Sequence, residues 1–280
     1  MSAHAGFASF WHGPLNPFAW ACLSSFPRAG ARLTLYSYDT ALEVPEGVLL
    51  EDARKICPDE TLVHRFPVAG KPSIATFSDM FRYTMIHKTG ACWVDADILC
   101  VQRPAFGEEP YVFCRQADFV STLLVNNAVL RLPRDAPALA ELVATANAAV
   151  DHEQAWGALG PFLLTPVLKK HGLYGRALDP HTCYPVEPEL FWTFFVPDCR
   201  DTVARQVTGA TMVHLWSEAI RWSGYDLGAC PPEGSWLHDL FTALGALPRF
   251  RRIAPEGEIR SVMAEAIRNS GARVTPASRS

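Results

Sequence analysis

Two aspartates beside a short apolar run are the residues best placed to do chemistry in this sequence. Asp95 and Asp97 directly follow residues 91–94, a run too short and too apolar to be anything but a covered strand. In an extended chain, residues two apart point the same way, so both carboxylates are predicted on one side, about 6 to 7 Å apart along the backbone. Carboxylates this close repel unless a cation lies between them. Mg²⁺ and Mn²⁺ bind such oxygens and keep positions open for phosphates, so the pair predicts a metal site for a diphosphate.

Two further charged residues lie on the element that precedes these acids. Apolar residues recur at helical spacing over residues 74–87, with Ser73 as the N-cap and Gly90 as the stop. Asp79 and Arg82 are three residues apart on this helix, so their side chains share one face and can project into the same space.

Each of these two pairs has an alternative without function. A bare Asp-x-Asp pair also occurs as two solvated acids in a turn. Asp79 with Arg82 could be a surface ion pair that contributes little. The position of Asp95 and Asp97 at the carboxyl end of a buried strand, where open α/β sheets bind ligands, favours the metal site.

The segment that contains both pairs resembles a known family signature. The pattern SDxxRYxxxxxxGxxWVDxD, which begins at Ser78, is similar to that of glycosyltransferase family 32, a group of DXD sugar transferases related to the glucosylating clostridial toxins. The matched residues are Ser78, Asp79, Arg82, Tyr83, Gly90, Trp93, Asp95 and Asp97. Members of that family usually have two glycines where this chain has Thr89 and Gly90, and an aromatic residue before the acids where it has Trp93 and Val94.

The resemblance implies a fold, an activity and a cofactor. The implied fold is α/β of the GT-A type: a Rossmann-like, doubly wound mixed sheet with helices on both faces and a C-terminal acceptor-side extension. The implied activity moves a hexose from a nucleotide-diphosphate sugar, UDP- or GDP-linked, to a glycan or glycolipid acceptor in surface polysaccharide or lipopolysaccharide synthesis. The implied cofactor is Mn²⁺ or Mg²⁺, and retention of the anomeric configuration is expected by analogy alone.

The resemblance also implies roles for the matched residues. Asp97 would hold the metal, and Asp95 would share it while it contacts the sugar or ribose. Arg82 would place a fixed charge near the phosphate and sugar, and Asp79 would orient sugar hydroxyls. Tyr83, at a matched position, is a further substrate-binding candidate.

A late segment of the chain resembles the end of the catalytic domain in that family. Residues 214–224, HLWSEAIRWSG, begin with His214 and contain Trp222. A single histidine on an apolar strand is more often structural than a ligand. By the resemblance, His214 is expected to be the third metal ligand, and Trp222 is expected to bind substrate.

The first loop of the chain is another substrate-binding candidate. Residues 7–11 are predicted to form a strand, and His12 and Gly13 break it. The resemblance implies that Trp11, His12 and Gly13 contact the nucleotide base. Trp11 could equally be a core residue of the first strand.

Three more candidates lie in the middle of the chain. Asn126 and Asn127 follow a predicted strand, and amides suit sugar hydroxyls because they both donate and accept hydrogen bonds. They equally suit a tight hairpin before a returning strand at residues 128–132. Gly160 matches a glycine on the acceptor side of the cleft in the resembling family, or it simply begins a helix.

The elements predicted around these residues form an α/β pattern. A strand at 7–11, a helix at 17–26 and a strand at 32–38 make the opening unit of a doubly wound domain. We expect one glycosyltransferase domain over residues 1–268. Within it, residues 1–132 are expected to form a nucleotide-sugar-binding half and residues 133–268 an acceptor-side half, followed by a flexible tail at 269–280. The remaining predicted elements are a helix near 49–57, strands at 98–101, 111–114 and 123–125, and a helix at 137–150.

Composition narrows the possible partners and location. The 280 residues carry a net charge of −4, which gives no electrostatic basis for binding nucleic acid. No apolar run approaches the roughly 18 residues of a membrane span, and the N-terminus lacks a secretory signal pattern. The eight cysteines include no CxxC pair, so buried free thiols are expected. These features predict a cytoplasmic protein, either free or peripheral at the inner membrane face.

Two other functions fit part of the sequence. A DxD after a strand also opens phosphatases of the haloacid dehalogenase type, but these usually need Thr or Ser two residues after the second Asp, where this chain has Leu99. A module that binds nucleotide sugars or carbohydrates without turnover is the other alternative. The intact acids, Arg82 and His214 favour an enzyme.

Overall fold

The computed structural model describes residues 6–104, 106, 109–117 and 124–270 of the chain. Most of the predicted tail at 269–280, and Leu123 of one predicted strand, lie outside these residues. The strands are β1 Phe7–Phe10, β2 Leu33–Ser37, β3 Val48–Asp52, β4 Pro67–Val68, β5 Lys71–Pro72, β6 Cys92–Val94, β7 Ile98–Cys100, β8 Val112–Gln116, β9 Leu124–Arg131, β10 Met212–His214, β11 Ala229–Cys230 and β12 Arg252–Ile253.

Helices connect and cover these strands. The α-helices are α1 Pro17–Arg28, α2 Ile74–Thr89, α3 Pro137–Ala148, α4 Pro161–Lys170, α5 Pro180–Cys183, α6 Arg200–Val207, α7 Ser217–Trp222, α8 Trp236–Ala243, α9 Glu256–Val262 and α10 Ala264–Ser270. Short 3₁₀ helices are Ala53–Lys55, Glu60–His64, Tyr174–Arg176, Pro188–Phe194, Pro197–Cys199 and Leu247–Arg249.

The central sheet has six strands in the order β3-β2-β1-β6-β9-β8. The first four are parallel neighbours, whereas β9 runs antiparallel to both β6 and β8. A separate antiparallel pair joins β7 to β10. Because β7 follows β6 after only three residues, this second pairing brings a late strand of the chain next to the carboxyl end of β6.

Side chains of the central strands alternate between two cores, one on each face of the sheet. Cys92 and Val94 pack with α1 and with apolar residues of the C-terminal part of the chain. Trp93 points to the other face, where α2, α3 and α4 contribute the core. Successive side chains of a strand point to opposite faces of the sheet, and here both faces are covered. The prediction of a mixed, doubly wound α/β fold with helices on both faces is confirmed.

The helix that carries Asp79 and Arg82 is present as predicted. α2 begins after Ser73, whose hydroxyl accepts the N–H of Thr76 at 3.2 Å. It ends at Gly90, which has a φ of +71°. A left-handed cap of this kind favours glycine because the residue has no β-carbon. The chain therefore turns sharply from α2 into β6.

Two predictions about secondary structure are wrong. The helix expected near residues 49–57 is instead β3 followed by a 3₁₀ turn, because the backbone of residues 48–52 pairs with β2 at the edge of the sheet. The hairpin alternative for Asn126 and Asn127 is also wrong, since β9 runs through both residues without a turn. In both segments, pairing with a strand from another part of the chain determines the secondary structure.

The remaining structural predictions concern the thiols and the membrane. All eight cysteines are buried and free, as expected. Among the described residues, no helix combines the length and the apolar character that crossing a bilayer would take.

Candidate functional site

The segment from Asp95 to Asp97 forms a tight turn. The N–H of Ile98 donates to the carbonyl of Asp95 at 3.0 Å, and the N–H of Asp95 donates to the carbonyl of Ala128 in β9 at 2.8 Å. The expected extended geometry is therefore wrong, because β9 fixes the backbone where β6 ends. Both carboxylates nevertheless line the same cavity. The turn places two acids at the carboxyl end of a buried central strand.

His214 joins this turn through the β7–β10 pairing. It lies opposite Ile98 in the ladder, one residue beyond Asp97, and its Nε2 is 3.2 Å from Oδ2 of Asp97. The same carboxylate oxygen accepts the backbone N–H of Ser217 at 2.9 Å. Burial raises the pKa of Asp97, but the charge and hydrogen bond of His214 and the N–H of Ser217 outweigh burial and hold that pKa well below its usual range. Asp97 is therefore ionised at neutral pH.

Asp95, Asp97 and His214 form a set of groups that could hold a metal ion. One ligand atom from each lies within 4.8 Å of the other two. The Nδ1 of His214 is buried and has no hydrogen-bond partner among the described residues. Two carboxylates with one imidazole suit Mn²⁺ better than Mg²⁺, because Mg²⁺ takes oxygen ligands almost exclusively. The residues present therefore fit a divalent ion of the Mn²⁺ type.

Arg82 is the centre of a buried ionic network. Its guanidinium donates to Asp79 at 2.7 Å and to Asp95 at 2.6 Å, and the residue is only 3% exposed. The indole N–H of Trp93 donates to the same Asp95 oxygen at 2.6 Å, and the guanidinium carbon lies 4.9 Å from the Trp93 ring centre. The alternative of a surface ion pair is wrong. These contacts fix the orientation of the Asp95 carboxylate.

Asp79 extends the network to β9. Its Oδ1 accepts from Asn127 Nδ2 at 2.8 Å as well as from Arg82. Burial raises the pKa of Asp79 to about 6, although Arg82 and Asn127 pull it down. Hydrogen bonds and ion pairs thus run continuously from Asp95 through Arg82 and Asp79 to Asn127.

The fold should lose stability as pH rises through the raised pKa of Asp79. The folded chain keeps this proton up to about pH 6, whereas an unfolded chain loses it near the ordinary carboxyl value of about 4. The free energy of unfolding should therefore fall by about 3 kcal/mol between about pH 4 and about pH 6 on account of this group. Urea unfolding of the wild type and of Asp79→Asn across this range measures the effect.

The Asn variant removes the titration of Asp79 and keeps the titrations of the groups remote from it, so those groups contribute equally to both proteins. The wild type should become less stable relative to Asp79→Asn as the pH rises. A difference in unfolding free energy that does not change with pH would contradict the assignment.

A cavity of about 550 Å³ connects these residues with other predicted site residues. The predicted residues that line it are Trp11, His12, Asp79, Arg82, Asp95, Asp97, Asn126, Asn127, Gly160, His214 and Trp222. Gly13 and Tyr83 are not among its lining residues. Tyr83 is fully buried, and its hydroxyl donates to the carbonyl of Leu159 at 2.7 Å. The structure thus places Tyr83 behind the cavity wall, where it supports the loop before α4.

Several lining residues were not singled out from the sequence. Gln116 accepts a hydrogen bond from Asn126 at 2.6 Å, and Ser217 holds Asp97 through its backbone N–H. Trp156 and Phe162 lie at the exposed end of the cavity. Of these residues, only Trp156 could have been suspected from the sequence, because it lies in a glycine-rich loop and glycine allows the backbone to approach a ligand.

Comparisons with known proteins find structural similarity but no similarity to a known sequence family. No protein-family model and no curated protein matches this sequence. A solved structure named PaToxG Glycosyltransferase is similar over 59% of this chain and 68% of that chain, with 16% sequence identity and a TM-score of 0.41. The two chains differ too much in sequence and in shape to carry an activity from one to the other.

Proposed function

We propose that this protein is a metal-dependent glycosyltransferase that uses a nucleotide-diphosphate hexose as donor. The observation that carries the proposal is the convergence of Asp95, Asp97 and His214 within 4.8 Å, in the wall of a cavity of about 550 Å³. A cavity of this size suits a ligand as large as a nucleotide sugar. The motif from Ser78 to Asp97, which resembles glycosyltransferase family 32, supports the same conclusion.

The reaction requires charge stabilisation at the leaving group. When the bond between the anomeric carbon and phosphate breaks, negative charge grows on the diphosphate and positive charge grows on the sugar. A Mn²⁺ or Mg²⁺ ion held by Asp95, Asp97 and His214 would neutralise the diphosphate. Arg82 holds Asp95 in position and places a fixed positive charge beside the reacting groups.

Other lining residues would bind the donor and the acceptor. Asp79 uses one oxygen for Arg82 and Asn127, and its second oxygen would accept a sugar hydroxyl. Asn126 and Asn127 add amide donors and acceptors of the kind that sugar hydroxyls pair with. Trp11 and His12 follow β1 and would contact the nucleotide base. We propose UDP or GDP as the nucleotide and a glycan or glycolipid of surface polysaccharide synthesis as the acceptor.

A panel of UDP- and GDP-hexoses tests this function. With Mn²⁺ present, one of these donors should be hydrolysed slowly and should raise the melting temperature, because a ligand that binds only the folded state stabilises it. Mn²⁺ should support more turnover than Mg²⁺, and EDTA should abolish it. Unchanged turnover in EDTA, or no binding of any donor, would contradict the proposal.

The same panel separates the two rival functions. A phosphatase would hydrolyse p-nitrophenyl phosphate, which a glycosyltransferase should leave intact. A binding module would show saturable thermal stabilisation without hydrolysis or transfer. For an active transferase, NMR of the product would show whether the anomeric configuration is retained, as the resemblance implies.

A further inference from the structure

Exposed large hydrophobic residues concentrate at the mouth of the cavity. Of the seven such residues in the described part of the chain, four line the cavity, and Trp156, Phe162 and Trp222 are 51%, 59% and 64% exposed. The fourth is Ile74, at the start of α2. Exposed hydrophobic residues that occur singly need no explanation, but a group of them around a concave site indicates ligand binding.

These aromatic rings come from two distant parts of the chain. Trp156 lies in the loop before α4 and Trp222 at the end of α7, and their ring centres are 4.9 Å apart at an angle of 64°. A β-carbon on Gly157 would lie 3.3 Å from the ring of Phe162, so Phe162 packs close to the backbone beside Trp156. We call Trp156, Phe162 and Trp222 the aromatic rim.

The loop that carries Trp156 is held in place at both ends. Asp151 pairs with Arg65, and the N–H of Gln154 donates to the carbonyl of Pro67 at 2.9 Å. At the other end, the buried Tyr83 hydroxyl donates to Leu159 at 2.7 Å. The backbone of this loop is therefore fixed before any ligand arrives, which lowers the entropic cost of binding.

The sheet order places the start of α4 across the metal site from Trp11. Trp11 follows β1, the acids follow β6, and Asn127 lies on β9, so the acids stand between the expected base site and the amides. Gly160, at the start of α4, lies beside Asn127, because its β-carbon would be 3.4 Å from Oδ1 of that residue. A donor that spans from Trp11 to the acids leaves the α4 end of the cavity for the acceptor.

We propose that the aromatic rim binds the flat apolar face of a pyranose ring in a carbohydrate acceptor. Trp156 and Phe162 supply the stacking surface, and Trp222 closes it from α7. The proposal rests on the proposed transferase function and names its acceptor class. Stacking on an aromatic ring suits a sugar because the ring presents C–H groups on its face and hydroxyls at its edge.

The polar residues of the same cavity favour a sugar over a lipid chain. Gln116, Asn126 and Glu218 line it together with the aromatic rim, and amides and carboxylates pair with hydroxyls. Gln116 and Asn126 pair with each other, and Glu218 pairs with Arg221. An alkyl chain would take these groups out of water without offering them any further hydrogen bond, which is costly. The concave shape likewise suits a small ring better than the broad surface of a folded protein.

The test is direct binding of sugars to the intact protein, measured by saturation-transfer NMR and calorimetry. The probes are lactose, cellobiose, maltotriose and mannotriose at millimolar concentrations, with Mn²⁺ and either UDP or GDP present. At least one should bind, and Trp156→Ala and Phe162→Ala should each weaken its binding about tenfold. Leu49→Ala is the control, because Leu49 is 59% exposed on the edge strand β3 and is not a lining residue.

Two outcomes would overturn the aromatic rim as a sugar site. One is that no probe binds, or that the Trp156 variant binds the sugars as the wild type does. The other is that farnesyl phosphate binds in a manner that depends on Trp156 while the sugars do not. In either case wild-type hydrolysis of a nucleotide sugar would continue if the transferase function is right. Loss of donor hydrolysis and of donor binding in the wild type would instead refute the function itself.

Discussion

Replacing Asp97 with Asn should lower kcat about 10³-fold while the protein still folds. The Asn side chain has the same shape and can still accept the N–H of Ser217. It lacks the charge that would hold a cation beside the leaving diphosphate. Steady-state turnover of the preferred nucleotide sugar measures the loss, and a cooperative thermal transition shows that the fold remains.

The matched control for this variant is Asp198→Asn. Asp198 is 76% exposed, pairs with Arg260 at 3.2 Å and does not line the cavity. The control removes one carboxylate charge from the protein without touching the site, so turnover should stay at the wild-type value. If Asp97→Asn kept more than a tenth of the wild-type kcat, the role assigned to this carboxylate would be wrong.

The second large effect is on stability and comes from Arg82. Replacing Arg82 with Met removes the shared partner of Asp79 and Asp95 and leaves two carboxylates uncompensated, one of them buried. Removing one partner of a buried ion pair costs about 3 to 5 kcal/mol, so the free energy of unfolding should fall by that amount at neutral pH. Urea unfolding measures the change, and turnover should also be lost because Asp95 is no longer held.

Acid should partly restore the stability of the Arg82→Met variant, because protonation removes the charges that have lost their partner. The control is Arg251→Ala, which breaks an exposed pair with Asp226 and should cost less than about 1 kcal/mol. Equal costs for the buried and the exposed arginine would show that the buried network does not contribute as proposed.

Much of the region around the site could be predicted from sequence because the signals are local. Ser73 and Gly90 bound α2 through a cap and a left-handed turn, both of which depend on neighbouring residues alone. The apolar run before Asp95 was enough to predict a buried strand. Helical spacing placed Asp79 and Arg82 on one face, and in the structure they are paired.

The failures share a different cause. The turn at Asp95 is held by the carbonyl of Ala128, which lies on a strand that comes more than thirty residues later in the chain. The segment at 48–52 is a strand because it pairs with β2 at the sheet edge, and the types of its own residues do not predict that pairing. The register that brings His214 beside Asp97 likewise depends on long-range pairing, and only the family resemblance pointed to it.

The contact between Trp156 and Trp222 could not be read from the sequence for the same reason. The two residues are far apart in the chain, and each one alone resembles an ordinary exposed aromatic residue. Only the folded arrangement shows that both lie at the mouth of the cavity that contains the acids.

A Mn²⁺ titration followed by electron paramagnetic resonance, on the wild type and on Asp97→Asn, tests whether Asp95, Asp97 and His214 hold a metal ion. The wild type should remove the signal of aqueous Mn²⁺ until a single ion is bound per chain, and it should bind that ion more tightly when UDP or GDP is present. Asp97→Asn should leave the signal in place. A wild-type protein that leaves the aqueous Mn²⁺ signal unchanged, with or without nucleotide, would show that Asp95, Asp97 and His214 do not form a metal site.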